Sequence, residues 1–204
     1  MNFLSFRESF IELGCINTHQ IEAAYPDYNR NNLTRWVNQG LLTKLRNGYY
    51  SFPELKSQSQ FALYISNRIY KPSYISLHTV LAFYGIIPEA ITRITAVSTM
   101  KTAEFQNDFG LYAYKSMHEA LYFGYELKPF GNRTILLAYP EKALLDLLYL
   151  YPFYNTEEAM KDLRFDEEYL STDLDLARLD DFTARFENKA LEKRVTLMRT
   201  IYSL

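Results

Sequence analysis

The hydrophobic positions at the start of the chain follow a helical period. Phe3, Phe6, Phe10 and Leu13 fall on one face of a helix, and the next residue, Gly14, is a natural helix stop. The pattern therefore predicts a first amphipathic helix from about residue 3 to residue 13.

Two more short helices are predicted before residue 40. Asn17 or Thr18 is placed to cap the second, which Pro26 ends. Asn29 is placed to cap a third, RNNLTRWVNQ, and Gly40 terminates it.

A β-hairpin is predicted directly after the third helix. The runs LLTKL and YYSF are separated by Arg46, Asn47 and Gly48, and an Asn-Gly pair between two β-prone runs is the strongest short-range hairpin signal. Three helices followed by a hairpin predict a winged helix-turn-helix over residues 1–52.

The remainder of the chain, residues 53–204, mixes helical and strand patterns. Phe61, Ile65 and Ile69 share one helical face, and Ser76 is placed to cap a short helix that Gly85 stops. Strands are predicted over Thr92–Thr99, Gly110–Lys115, Leu121–Leu127 and Thr134–Tyr139. Pro140 opens a strongly apolar helix, and the chain from about 156 to 204 is predicted as a helical tail. The fold class predicted is α+β, with this second domain following the winged helix.

The distribution of charge along the sequence indicates where a polyanionic partner would bind. The net charge is −2, yet the stretch from Tyr28 to Tyr50 holds four basic residues and no acidic one, whereas acidic residues dominate from Glu157 to Glu192. A local basic patch on a mildly acidic protein is sufficient to bind DNA. The lone Cys15 and the lack of a signal peptide or a long apolar stretch favour a cytoplasmic protein outside the membrane.

The third predicted helix carries the candidate base-reading residues. Leu33, Trp36 and Val37 share one face and should pack inward. The opposite face carries the predicted base readers Asn31, Arg35 and Asn38, with Thr34 and Gln39 at its margins. Arg can bond guanine and Asn can bond adenine in a major groove, and the face has no acidic residue. A merely solvated helix face is the open alternative.

The phosphate contacts are predicted around that helix. Arg30 lies near its start, and Lys44 and Arg46 lie on the hairpin, where cations meet the DNA backbone. Asn47 and Gly48 form the predicted wing tip, which is thin enough to approach a minor groove.

Catalytic chemistry is not predicted. Glu141, Lys142 and Asp146 would suggest a nuclease, but Lys142 and Asp146 have the i,i+4 spacing of a surface salt bridge, and Glu141 suits a first helical turn. The histidines share no metal-binding spacing, Cys15 fits a buried helix-end thiol, and Gly-rich phosphate loops are absent. No metal or cofactor is expected.

Four sequence blocks, taken in order, resemble a known family. WVNQGLLTKLRNGYYSF, YISLHTVLAFYGIIPE, ITAVST and YPEKALLDLLYLYP are similar to the recurring blocks of AbiEi-family antitoxins of type IV toxin–antitoxin systems, over roughly residues 1–150. The resemblance implies a transcriptional repressor that binds inverted repeats in its own promoter and neutralises a nucleotidyltransferase-like toxin.

Two half-sites would need two protein copies, so the expected assembly is a monomer or homodimer that pairs on DNA. The resemblance leaves two alternatives open. One is a protein-interaction module that does not bind DNA, and the other is a nuclease that uses the PEKALLD block.

Overall fold

Three helices and a small antiparallel sheet form the first part of the chain in the computed structural model, which describes residues 2–204. The elements in order are α1 (Phe3–Phe10), β1 (Cys15–Asn17), α2 (Thr18–Ala24), α3 (Asn31–Asn38), β2 (Thr43–Arg46) and β3 (Tyr49–Ser51). The sheet order is β1-β3-β2, with β3 in the middle. The predicted helices and hairpin are all present, and β1 is a strand that the sequence pattern did not predict.

Local capping explains most of these boundaries. The Asn17 side chain accepts from the backbone N–H of Gln20, and the Gln20 side chain accepts from that of Asn17, so α2 begins with a capping box. The Asn29 side chain accepts from the N–H of Asn31 at the start of α3. The first helix is shorter than predicted. It ends at Phe10, and Leu13, predicted to lie on its apolar face, is 39% exposed.

Aromatic packing holds the first part together. The Trp36 ring lies 5.4 Å from Phe3 and 5.0 Å from Phe6, and Phe6 also packs against Phe10 at 5.0 Å between ring centroids. Ile16 of β1 lies in the same fully buried core. Cys15 is buried as predicted, but it lies in a strand and not at a helix end.

The second part is built on a six-stranded mixed sheet. Its elements are α4 (Phe61–Ile69), β4 (Ser73–Ile75), α5 (His78–Phe83), β5 (Ile94–Ser98), β6 (Ala103–Asn107), β7 (Gly110–Ser116), β8 (Tyr125–Phe130), β9 (Arg133–Ala138), α6 (Pro140–Leu150), α7 (Glu157–Lys161), α8 (Glu167–Thr172), α9 (Leu176–Arg185) and α10 (Lys189–Tyr202). The strand order is β6-β7-β5-β4-β9-β8, with β5–β7 and β4–β9 parallel. The α+β class and the helical tail are confirmed.

Two predictions for this part were wrong in detail, and two strands were missed. Residues 121–124 precede the strand β8, which begins only at Tyr125, and β4 and β6 were not predicted at all. Ser76 does not cap α5, because its hydroxyl donates to the Asp146 carboxylate 2.7 Å away and Leu77 occupies the position before the helix.

Helices cover both faces of the large sheet. The Tyr114 hydroxyl of β7 donates to the Ser66 carbonyl of α4. The residue before Tyr114 in β7, Ala113, has Thr95 of β5 as its register partner, and the Thr95 hydroxyl bonds the Thr79 hydroxyl of α5. Successive strand residues point to opposite faces, so α4 and α5 lie on opposite sides. No helix of residues 2–204 combines the length and the apolar character needed to cross a membrane.

The two parts share several hydrogen bonds. The Tyr64 hydroxyl of α4 donates to the Leu13 carbonyl at 2.8 Å, and the Asn107 amide of β6 donates to the Leu45 carbonyl of β2 at 3.2 Å. Gly14 adopts a φ of +69°, and a Cβ there would lie 2.9 Å from the Phe61 ring. The division into residues 1–52 and 53–204 stays a prediction, and the hairpin at the end of the first part packs closely on the second.

Candidate nucleic-acid interface

Helix α3 separates an apolar face from a polar one. Leu33 and Trp36 are 3% and 2% exposed and anchor the helix in the core of the first part. Polar side chains of the predicted base-reading set lie on the solvent side, namely Asn31, Thr34, Arg35 and Asn38. Burial of the two apolar anchors therefore fixes the direction in which the polar face points.

The polar face of α3 has side chains with unused hydrogen-bonding groups. Across residues 2–204, these four side chains take part in no hydrogen bond or ion pair; the one hydrogen bond recorded at Asn31 uses its backbone N–H. Arg35 thus presents a free guanidinium between two carboxamides. This is the donor and acceptor set that can contact guanine and adenine edges in a major groove.

Two further cations of the predicted set are exposed. Lys44 is exposed on β2, where its register partner on β3 is Tyr50. Arg30, 76% exposed at the side chain, pairs with Glu22 of α2 at 2.5 Å. Exposed ion pairs contribute little, so a phosphate group can replace the Glu22 carboxylate at little cost.

Arg46 does not occupy the position expected of a phosphate contact. Its guanidinium donates to the Ile69 carbonyl at 2.6 Å and lies 4.5 Å from the Phe105 ring centroid and 5.3 Å from that of Tyr70. The side chain therefore points into the junction with the large sheet. We remove Arg46 from the proposed DNA-contacting set, because one guanidinium nitrogen donates to Ile69 and the group packs against two aromatic rings of the second part.

The predicted wing tip is short and is held against α2. Asn47 is exposed, but the carbonyl of Gly48 accepts from the Thr18 N–H at 2.9 Å. Gly48 has a φ of +77°, a left-handed conformation that glycine adopts without a steric penalty. The turn is therefore fixed in position beside the first residue of α2, and Asn47 is its freely exposed side chain.

The charged motif of α6 is buried, which corrects the surface salt bridge predicted for it. Lys142 and Asp146 form their i,i+4 ion pair with both side chains 0% exposed. The other carboxylate oxygen of Asp146 accepts from the hydroxyls of Tyr74 at 2.9 Å and Ser76 at 2.7 Å. Burial raises the pKa of Asp146, opposed first by the Lys142 charge, and burial lowers the pKa of Lys142.

Glu141 completes the buried motif. Its side chain is 2% exposed; one oxygen accepts from the Asp175 N–H at 2.9 Å and the other lies 3.4 Å from the Arg178 guanidinium. Glu141 therefore ties α6 to the start of α9. The sequence held a signal for this burial, because α6 is apolar nearly all around, and such helices lie inside a protein.

Comparison with known proteins assigns this chain to no family. No family model matches it, and no curated protein does. The resemblance to AbiEi-family antitoxins therefore rests on the sequence blocks quoted above, and the function is inferred from that resemblance and from the free polar residues of α3 and β2.

Seven exposed polar side chains at α3 and the hairpin make up the candidate interface. We call the exposed set Arg30, Asn31, Thr34, Arg35, Asn38, Lys44 and Asn47 the α3–β2 surface. It holds donors for phosphates and base edges, whereas the carboxylates of α6 lie in the core, where their oxygens are already bonded. Two cations that the sequence reasoning did not single out, Arg68 and Lys71, lie at the end of α4.

Proposed function

We propose that this protein is a DNA-binding transcriptional repressor that reads double-stranded DNA with a winged helix-turn-helix formed by residues 1–52. The element order supports this: α1, β1, α2, α3 and the β2–β3 hairpin follow one another as in winged-helix proteins, where the helix before the hairpin enters the major groove.

The observation that carries the proposal is the unused bonding capacity of the α3 face. Arg35 is flanked by Asn31 and Asn38, and all three side chains are exposed and unbonded within residues 2–204. Arg30 and Lys44 add positive charge beside them for the DNA backbone. A face of this kind complements base edges, with the phosphates on either side.

Enzymatic function is not part of the proposal. A nuclease centre needs carboxylates that reach a cation and a phosphate at the same time. The side chains of Glu141, Lys142 and Asp146 are each at most 2% exposed, and each already bonds a partner inside the protein. The burial of this motif favours a role in stability.

The first test is equilibrium binding of the purified protein to its own upstream DNA and to a scrambled duplex across a range of salt concentrations. We expect preference for the upstream fragment. Arg35→Ala should weaken that binding by about 1–3 kcal/mol and reduce the preference. Lys44→Ala should weaken binding to both duplexes alike and lower the salt slope by about one.

Lys193→Ala provides the matched control, because Lys193 is an exposed cation on α10 and outside the α3–β2 surface. It should bind DNA as the wild type does. Equal affinity of wild type, Arg35→Ala and Lys44→Ala for upstream DNA would reject the assigned surface.

The antitoxin role is proposed on the family resemblance alone. In that role the protein represses its own toxin–antitoxin operon and counteracts a nucleotidyltransferase-like toxin encoded beside it. Co-expression with the adjacent gene product should restore growth that the toxin alone arrests. Co-purification with the toxin without any DNA binding would instead identify a protein-interaction module.

A further inference from the structure

Glu22 of α2 contacts a cation of the α3–β2 surface. Its Oε1 atom lies 2.5 Å from the Arg30 guanidinium, and the His19 ring nitrogen Nδ1 lies 3.5 Å from its Oε2 atom. The other two cations of the surface, Arg35 and Lys44, form no ion pair within residues 2–204. One of the three positive charges of this surface is therefore already paired with a carboxylate of the protein itself.

The pair between Glu22 and Arg30 is open to solvent. The Arg30 side chain is 76% exposed, and that of Glu22 is 36% exposed. Arg30 comes directly before α3, so the ion pair links the two helices of the proposed helix-turn-helix across their loop. An anion from outside can thus reach the guanidinium while Glu22 holds it.

A DNA backbone that meets Lys44 would also come close to this pair. Lys44 on β2 has Tyr50 of β3 as its register partner. Burial and then the neighbouring Tyr28 raise the pKa of Tyr50, whereas the Arg30 charge lowers it, so Arg30 also lies beside Tyr50. The two cations are therefore near the same tyrosine, and Glu22 lies among the groups predicted to meet phosphates.

A carboxylate and a phosphate compete for the same guanidinium. Each accepts charge-assisted hydrogen bonds from arginine. Arg30 can bind a backbone phosphate in full only when Glu22 releases it, and the displaced Glu22 charge then repels the phosphate. Because an exposed ion pair is weak, the competition changes DNA affinity several-fold and not by orders of magnitude.

We propose that Glu22 competes with the DNA backbone for Arg30 and thereby lowers the affinity of the α3–β2 surface for all DNA sequences alike. Phosphate contacts carry no sequence information, so this competition leaves base reading by Arg35 unchanged. It limits binding to unrelated DNA, which electrostatic contacts supply. The inference rests on the proposed repressor function, because it concerns the same surface and the same DNA.

The test is a double-mutant cycle on Glu22 and Arg30. It is measured as equilibrium binding of the full-length protein to its upstream DNA and to the scrambled duplex at one salt concentration. Glu22→Gln should strengthen binding to both duplexes by about threefold to fivefold, and the preference for upstream DNA should not change. In the Arg30→Gln background, Glu22→Gln should strengthen binding by less than about twofold, because the guanidinium that it frees is absent.

Asp27 provides the matched control, because it is an exposed acidic residue of the same loop and forms no ion pair within residues 2–204. Asp27→Asn makes the same change in charge and should strengthen binding by less than about twofold in either background. A gain in affinity cannot arise from damage to the fold, because lost structure weakens binding. The melting temperature of each variant checks that all of them are folded.

Unchanged or weaker DNA binding in Glu22→Gln, while the wild type binds upstream DNA, would reject this inference and leave the repressor function intact. An equal gain from Glu22→Gln in the wild-type and Arg30→Gln backgrounds would also reject it, because Glu22 would then act only as general negative charge. Absence of DNA binding by wild type and Glu22→Gln alike would reject the repressor function, and this inference with it.

Discussion

Helices α3 and α6 both carry charged and polar side chains, and they use them in opposite ways. On α3, Arg35 and its polar neighbours are exposed and bond nothing within the described chain. On α6, Lys142 and Asp146 are fully buried and bonded to each other, and Tyr74 and Ser76 satisfy the carboxylate further. Charged residues whose bonds are all made inside serve the fold, whereas those left free at the surface are available to a partner.

The comparison predicts that the same kind of substitution has very different effects on the two helices. The four tests that follow are measured on one scale, the free energy of unfolding from urea denaturation. They run from the largest expected loss to the smallest, and together they show whether buried and exposed charges divide as the structure indicates.

Asp146→Ala should give the largest loss, about 3–5 kcal/mol, because it leaves the Lys142 ammonium buried without its counter-charge. The chain offers a control with the same spacing, since Glu157 and Lys161 of α7 pair at i,i+4 on the surface. Glu157→Ala should leave the free energy of unfolding unchanged, because solvent screens that exposed pair.

A double variant sharpens this test. Lys142→Met combined with Asp146→Asn removes both charges, keeps an acceptor for Tyr74 and Ser76, and should recover much of the stability lost in Asp146→Ala. If the two single alanine variants, Asp146→Ala and Glu157→Ala, were equally stable, the division between buried and exposed pairs would be wrong.

Gly124→Ala should cost about 3 kcal/mol, because Gly124 makes room for the buried Lys142 chain. The glycine has a φ of +73°, and an added Cβ would lie 2.9 Å from Lys142 Cγ and 3.0 Å from the Phe182 ring. Gly85 is the control, with a φ of +74° and no atom within 4 Å of such a Cβ. Gly85→Ala should lose only about 1 kcal/mol of backbone strain.

Equal losses in the two glycine variants would mean that Lys142 can move aside, and that its buried position is not enforced by packing. Urea denaturation midpoints, with m-values compared to confirm two-state unfolding, distinguish the two results.

Periodicity predicted the exposed face of α3 correctly. It also predicted a helix that begins at Pro140, but not the burial of the ion pair within it. Leu33 and Trp36 define one face of α3, so the free side, including Arg35, followed from spacing. Lys142 and Asp146 also have a familiar spacing, but that spacing is the same in a core as on a surface. Their burial depends on β4, which reaches them from some 70 residues away through Tyr74 and Ser76 and was not predicted.

Long-range contacts also explain the error at the hairpin. Arg46 has a sequence position suited to a phosphate contact, yet Phe105 and Tyr70 from the second part bind its guanidinium. These contacts leave no periodic signal, because they depend on how two separate segments pack.

Arg46→Ala should cost about 2 kcal/mol, from a charged hydrogen bond to Ile69 and two aromatic contacts. Lys44→Ala, two residues away on the same strand but exposed, should change the free energy of unfolding by less than about 0.5 kcal/mol. DNA affinity should show the reverse order. A larger loss of DNA affinity in Arg46→Ala than in Lys44→Ala, at a temperature where both are folded, would return Arg46 to the DNA-contacting set.

Arg35→Ala should have the smallest effect on stability, within about 0.5 kcal/mol of the wild type, because its guanidinium has no partner to lose inside the described chain. Alanine is also the better helix former, so a slight gain is compatible with the structure. The substitution should nevertheless reduce DNA affinity by about 1–3 kcal/mol. A loss of stability equal to the loss of affinity would show that Arg35 supports the fold, whereas unchanged stability with weakened binding separates recognition from folding at a single side chain.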